Sequence, residues 1–212
     1  NVEYLLKKDY AGIRYSQKVF DIEKEAAERS DLVFTTSDED KEHLMLLYGI
    51  APNKILVTPN GVDTSKIELI GLEEKKQLKK EVGLADHHTI LFIGSWHPPN
   101  LEALKFILDE ITSKLSDCVF LVIGSIKHYY MHEYEDFPKN VLAFGVVDED
   151  EKYERYKLAD LAINPMFSGS GTNLKMLDYM SAGIPTISTP TGARGLDIEN
   201  GILKELIHTW NN

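Results

Sequence analysis

Short β-branched and aromatic runs alternate along this 212-residue chain with longer stretches whose apolar residues recur every three or four positions. Runs of the first kind fit strands, and stretches of the second kind fit amphipathic helices. The charged stretch Ser16 to Arg29 predicts a helix that ends near Ser30-Asp31. "LVFTTS" (Leu32–Ser37) follows as a strand, and "DEDKEHLMLLYG" as a helix stopped by Gly49. "KILVTP" is a second strand, and "NGVD" turns through Asn60-Gly61. A helical stretch, not a partner strand, comes next, so the turn reads as a linker spanning Pro59 to Ile67.

Beyond the linker the alternation becomes regular. "EEKKQLKKEVGL", "NLEALKFILDEITSKL" and "EDEKYERYKLAD" predict helices. "TILFIGS", "CVFLVIGS", "NVLAFGVV", "LAINP" and "PTISTP" predict five strands. Continuous apolar strands separated by helices indicate a parallel sheet covered on both faces. The expected fold is therefore α/β: a doubly wound, Rossmann-like parallel sheet with a partial N-terminal α/β segment. The division expected is 1–58 for that segment, 59–67 for the linker and 68–212 for the complete domain. Two strands upstream of the linker are too few for a second full domain.

Composition narrows the partners. A hydrophobic fraction of 43% and a charged fraction of 27% suit an ordinary globular chain. A net charge of −11 argues against nucleic-acid binding through a broad basic surface, though not against a small phosphate site. One cysteine, Cys118, lies in the apolar run "DCVFLVIG" and reads as a core thiol, consistent with a reducing cytosol. No apolar run is long enough to span a bilayer. The first residue is Asn1 and not Met, which suggests a fragment. His87-His88 and the His128/His132 pair read as exposed histidines, because no zinc motif surrounds them.

The chemistry concentrates in "SGSGTNLKMLDYMSAGIPTIS", Ser168 to Ser188. A glycine-rich loop after "LAINP" belongs to the carboxyl rim of the sheet, where doubly wound folds bind ligands. Gly169 and Gly171 allow close backbone approach, and a helix starting near Thr172 offers unpaired amides to an anion. At about 100° per residue, Gly171, Lys175, Asp178 and Ala182 share one face. Leu174, Met176, Leu177 and Met180 fall opposite, toward the sheet. Amides, then an ammonium, then a carboxylate suit a diphosphate followed by a sugar hydroxyl. A solvated Lys175–Asp178 pair on a surface helix explains those two residues equally well on their own; the loop and its strand–loop–helix context favour the anion site. Trp96, His97 and Pro98-Pro99 follow the first strand of the domain and border the same rim. Tyr129, Tyr130 and Tyr134 read as packing in a surface segment.

The whole motif through Leu196 resembles the donor site of the retaining glycosyltransferases of family 4, which have two Rossmann-like domains facing a cleft. "RSDLVFTTSDEDKEHL", "KILVTPNGVD", "ILFIGSWHPPNLEAL" and "FGVVDEDEKYERYKLADLAINP" are similar to that family in order and spacing, most closely in a bacterial surface-polysaccharide branch. The resemblance places Asp178 at the ribose of the nucleotide and Ser170 near the sugar hydroxyls. It places Gly171 and Thr172 at the β-phosphate, and Val146 and Val147 beside the base. Gly94-Ser95 stands where the family has glycine–arginine, and no lysine matches near Asn100, so diphosphate charge falls to Lys175, with Arg194 either assisting or merely solvated. Lys175 and Ser170 are the catalytic candidates.

The resemblance implies transfer from a nucleotide diphosphate sugar to a polysaccharide or lipid-linked glycan, with retention and without a metal or other cofactor. It implies a cytoplasmic site, at the inner face of the plasma membrane, with membrane association through a part of the protein outside this chain. A nucleotide-sugar epimerase of the same architecture, and a non-catalytic nucleotide-sugar-binding module, stay open at this point.

Overall fold

A computed structural model describes residues 12–133, 136–169, 171–196 and 207–209 of the chain. Ser170 and Tyr134 lie outside the described residues, and so does Asp197.

The N-terminal unit consists of α1 (Gly12–Arg29), β1 (Val33–Thr35), α2 (Asp38–Tyr48) and β2 (Ile55–Val57). Helix α2 begins where Ser37 accepts a hydrogen bond from the Asp40 amide, with three carboxylates in its first turn. It ends where Gly49 enters the left-handed region at φ 69° and donates its amide to Met45 O. β1 and β2 pair in parallel, Phe34 beside Leu56. Ala27, Tyr48, Ile50 and Ile55 form their small core.

The described residues that follow build one sheet. Its elements are α3 (Leu72–Glu81), β3 (His88–Ile93), α4 (Pro98–Phe106), β4 (Cys118–Ile123), α5 (Ile126–Glu133), β5 (Val141–Gly145), α6 (Glu149–Leu158), β6 (Leu161–Asn164), α7 (Leu174–Ser181), β7 (Thr186–Ser188) and β8 (Ile207–Thr209). All six strands are parallel, in the order β5-β4-β3-β6-β7-β8. Successive residues of β3 serve opposite faces. Leu91 joins Leu121, Ala162, Met176 and Tyr179 on one side; Ile90 and Phe92 join Leu104, Ile107, Phe120 and Val122 on the other. Two independent cores are what a doubly wound sheet requires.

Three expectations need correction. The sheet has a sixth strand, β8, which pairs with β7 through Thr186–Ile207 and its neighbours. The helix expected over 100–115 is α-helical only from Pro98 to Phe106, then widens into a π-helical turn over Ile107–Ile111, where Thr112 N bonds Ile107 O at 3.0 Å. Cys118 is half-buried at the start of β4, packed against the edge of a core. Among the described residues no helix is long and apolar enough to cross a membrane.

Candidate active site

The chain runs outward from β3 through β4 to β5, then returns to β6 and runs the other way. The switch point lies between β3 and β6, and crevices open there beyond the carboxyl ends of the strands. A cleft of about 540 Å³ occupies that position. Two helices point their N-termini into it. α4 starts at His97 and Pro98, and α7 starts after Asn173; neither has a side-chain cap or an acidic residue in its first turn. α2 and α6, by contrast, are capped by Ser37 and Asp148 and carry three acidic residues each in the first turn. Capped acidic helix ends have satisfied their own donors, whereas α7 keeps its first amides for an external anion. α4 has none to offer, because Pro98 and Pro99 carry no N–H and the Asn100 and Leu101 amides bond His97 O.

Close backbone packing shapes the β3 side of the cleft. Gly124 has φ 114°, and a Cβ there would stand 2.1 Å from the Gly94 carbonyl oxygen. Gly94 N donates to Ile123 O at 2.9 Å, which locks the ends of β3 and β4 together. On the β6 side, Arg194 Nη2 donates to the carbonyls of Gly169 at 3.2 Å and Gly171 at 3.4 Å. The guanidinium therefore draws the loop's oxygens to itself, so that Arg194 braces the glycine loop as well as lining the cleft. Ser168 Oγ donates to Glu102 on α4 at 2.7 Å, tying the same loop across the crevice.

Lys175 lies one residue into α7, largely buried. Its Nζ donates to Asn100 Oδ1 at 2.8 Å, and sits 3.9 Å from Met166 Sδ and 4.6 Å over the Phe92 ring. Burial lowers its pKa from the ordinary 10.5 to about 7. One turn on, Asp178 does not pair with Lys175. Its Oδ2 accepts from Tyr156 Oη at 3.0 Å and Lys152 Nζ at 3.4 Å, both on α6. Burial, and then the Asp178 charge, push the Tyr156 phenol above its usual range. Both bonds fall on one carboxylate oxygen, and among the described residues Oδ1 has no partner.

Gly94, Ser95, Gly169, Thr172, Lys175, Asp178 and Arg194 line the cleft, as the sequence places them. Gly171, at φ 73°, belongs to the same loop, and a Cβ there would meet open space. Val146 and Val147 are not brought in: Val146 is 71% exposed after β5, and Val147 packs partly against a core. Trp96 is 61% exposed beside the cleft, not within it. Tyr130 stacks on Phe137, with ring centroids 4.3 Å apart. Leu174, expected to face the sheet, is 58% exposed; the buried anchor of α7 is Tyr179, whose hydroxyl accepts from Ile93 N at 2.9 Å. The sequence reading missed Asn100, Phe92, Lys152 and Tyr156. Only the side-by-side prolines before Asn100 hinted that a helix N-terminus begins there.

A second cleft, of about 830 Å³, adjoins the first. Ser37, Asp38 and Glu39 of the N-terminal unit and Asn60 of the linker line it together with Thr191 and Arg194, and those last two residues line both clefts.

The family model described as glycosyl transferases group 1 matches residues 87–207, more than half of the chain. The chain belongs to the glycosyl transferases group 1 family. A second model, glycosyltransferase family 4, matches residues 6–66. A D-inositol 3-phosphate glycosyltransferase of Catenulispora acidiphila is 22% identical over 194 residues, covering 84% of this chain and 44% of that protein. An alpha-galactosylglucosyldiacylglycerol synthase of Streptococcus pneumoniae is 25% identical over 128 residues, covering 57% of this chain and 34% of that protein. Among solved structures, Anabaena HepE in complex with UDP-glucose matches with a TM-score of 0.74 at 14% identity, over 92% of this chain and 54% of its own. At that identity the likeness is one of fold: the six-stranded sheet is the Rossmann-like sheet of GT-B glycosyltransferases. The chain spans less than half the length of these curated glycosyl transferase relatives.

Proposed function

We propose that this chain is the donor-binding half of a glycosyltransferase that takes a sugar from a nucleoside diphosphate sugar. In this reading residues 68–212 form the donor domain, 59–67 the linker and 1–58 part of the acceptor side. One observation carries it: the uncapped N-terminus of α7 and a largely buried lysine without a carboxylate partner converge on the switch-point cleft. Such a site selects an anion that brings its own charge. The diphosphate lies on the amides of α7 and on Lys175, and Asp178 Oδ1 accepts a ribose hydroxyl. Charge developing on the leaving diphosphate is stabilised by these fixed donors, an electrostatic contribution that needs no protein nucleophile.

The reading is supported by HepE, which is similar in fold and is seen in complex with UDP-glucose, and by the similar D-inositol 3-phosphate glycosyltransferase and alpha-galactosylglucosyldiacylglycerol synthase. Transfer with retention, to a polysaccharide or lipid-linked glycan at the inner face of the membrane and without a metal, belongs to the same proposal. The acceptor enters through the second cleft, where Arg194 and Thr191 separate it from the donor.

Titration calorimetry with UDP and GDP, paired with a sugar-transfer assay on the same preparation, tests the reading. Binding of one nucleotide is expected, unaffected by EDTA, with no transfer by these 212 residues alone. Lys175→Ala should weaken binding by about 1.5–3 kcal/mol, ten- to a hundredfold. Failure of both nucleotides to bind would overturn the donor site, and transfer by this chain alone would overturn the division of labour.

A further inference from the structure

Asn100 is 8% exposed, at the first turn of α4. Its side chain spans the crevice. Oδ1 accepts from Lys175 Nζ at 2.8 Å, while Nδ2 donates to Ser95 O and Ser95 Oγ at 3.2 Å each. A carbonyl such as Ser95 O can only accept, so the amide is held with its oxygen toward Lys175. The other atoms around that amine are a thioether and an aromatic face. None of the three carries a charge.

We propose that Asn100 is a positioning residue that holds Lys175 on a neutral acceptor, so that the amine takes up a proton from solvent and completes its ion pair only when the donor's diphosphate binds. The inference rests on the donor reading of this cleft. A carboxylate at position 100 would have filled the same space and made the pair internally, leaving nothing for a ligand. The asparagine keeps the geometry and withholds the charge.

Other ionisable groups nearby are already engaged. From α7, Asp178 is bound by Lys152 and Tyr156 of α6. Arg194 is bound to the carbonyls of Gly169 and Gly171. Glu102 of α4 accepts from Ser168. His97 lines the cleft just before α4, and β3 contributes only Phe92 and Ile93. With its pKa lowered to about 7 by burial, Lys175 is mostly a neutral amine above pH 8. Binding of a doubly anionic diphosphate diester raises that pKa, so affinity must fall as pH rises through and above 7.

Two measurements test this. The first needs no ligand: NMR titration of [13C]lysine-labelled chain, with Lys175 assigned from Lys175→Met. Wild type should titrate near 7, and Asn100→Asp should move that resonance above about 9. The second is calorimetry with UDP-glucose and GDP-mannose, whose diphosphate diesters do not titrate between pH 6.5 and 8.5. Wild-type affinity should drop about twentyfold across that range, with proton uptake seen as a buffer-dependent heat. Asn100→Asp should bind weakly and without that pH slope. Asn100→Ala, the safeguard against a variant that fails to fold, should bind several-fold more weakly yet keep the slope. An unchanged Lys175 titration in Asn100→Asp, or a wild-type titration above 9, overturns the role of Asn100. Normal lysine titrations with neither sugar nucleotide bound by wild type overturn the donor reading instead.

Discussion

The two parallel sheets of this chain are made from similar strands and end in opposite conditions. In the six-stranded sheet, β3 and β4 bury Leu91, Phe92, Leu121 and Val122 almost completely, because helices cover both faces. In the two-stranded sheet, Phe34 and its register partner Leu56 are 61% and 49% exposed. Parallel strands are stable when both faces are covered, and a lone pair is marginal. Their carboxyl ends differ as well. The larger sheet presents the bare N-terminus of α7 at its switch point, while α2 of the smaller unit closes its own N-terminus with Ser37 and three carboxylates. A binding site needs a scaffold rigid enough to leave donors unsatisfied, and only the larger sheet provides one.

The sharpest way to break that contrast is to unlock the scaffold at its tightest point. Gly124→Ala would put a methyl group 2.1 Å from a backbone oxygen, at φ 114°, where side chains are strained. A loss of about 3 kcal/mol in urea unfolding of the larger sheet is expected, together with loss of nucleotide binding. Unchanged unfolding would mean that the ends of β3 and β4 are not rigid.

Asp178→Asn probes the site without touching the scaffold. The Tyr156 and Lys152 contacts reach Oδ2, so under the proposed donor reading the second oxygen is the one that takes the ribose hydroxyl. Affinity for ribonucleotides should fall by about 1.5–3 kcal/mol, and affinity for dideoxynucleotides by clearly less. Equal losses for both ligands would remove the ribose role.

A smaller effect reads the strain that the site places on its own sheet. Lys175 has a folded pKa of about 7 against 10.5 ordinarily, so the unfolded chain binds the extra proton between those values. Stability should therefore rise with pH above 7, by at most about 1.4 kcal/mol per pH unit. Lys175→Met should flatten that rise and melt higher than wild type at pH 6, where the buried charge costs most. Parallel pH curves for the two proteins would show that Lys175 is solvated.

These side chains also mark how far the sequence could be read. The strand–helix alternation and the Ser168–Ser188 motif are local in the chain, so periodicity located the first, and a glycine-rich loop between strand and helix, with the family resemblance, located the second. β8 escaped because three residues, Ile207–Thr209, are too short to show a period; their pairing with β7 makes them a strand. Lys175 was legible as a charge at a helix start, but its partner Asn100 lies 75 residues away, and Tyr156 is 22 residues from Asp178. Helical angles placed Leu174 against the sheet, yet the first turn of α7 projects into the cleft, and Tyr179 does the anchoring. Contacts across a topological switch point are fixed by strand order, and strand order is written in no local window.

The smallest effect is expected where the contrast began. Phe34→Ser and Leu56→Ser, made together, remove two exposed apolar side chains from the two-stranded sheet. A surface position far from any packed neighbour changes stability by about 0.5 kcal/mol or less, whereas truncating a buried phenylalanine such as Phe92 costs about 3–5 kcal/mol. The double variant should therefore melt with wild type, bind nucleotide with wild type and show less self-association at high concentration, since an exposed apolar strand pair is an aggregation site. Thermal melts, calorimetry and sedimentation on one preparation decide it. A loss of several kcal/mol would mean that Phe34 and Leu56 are covered in solution.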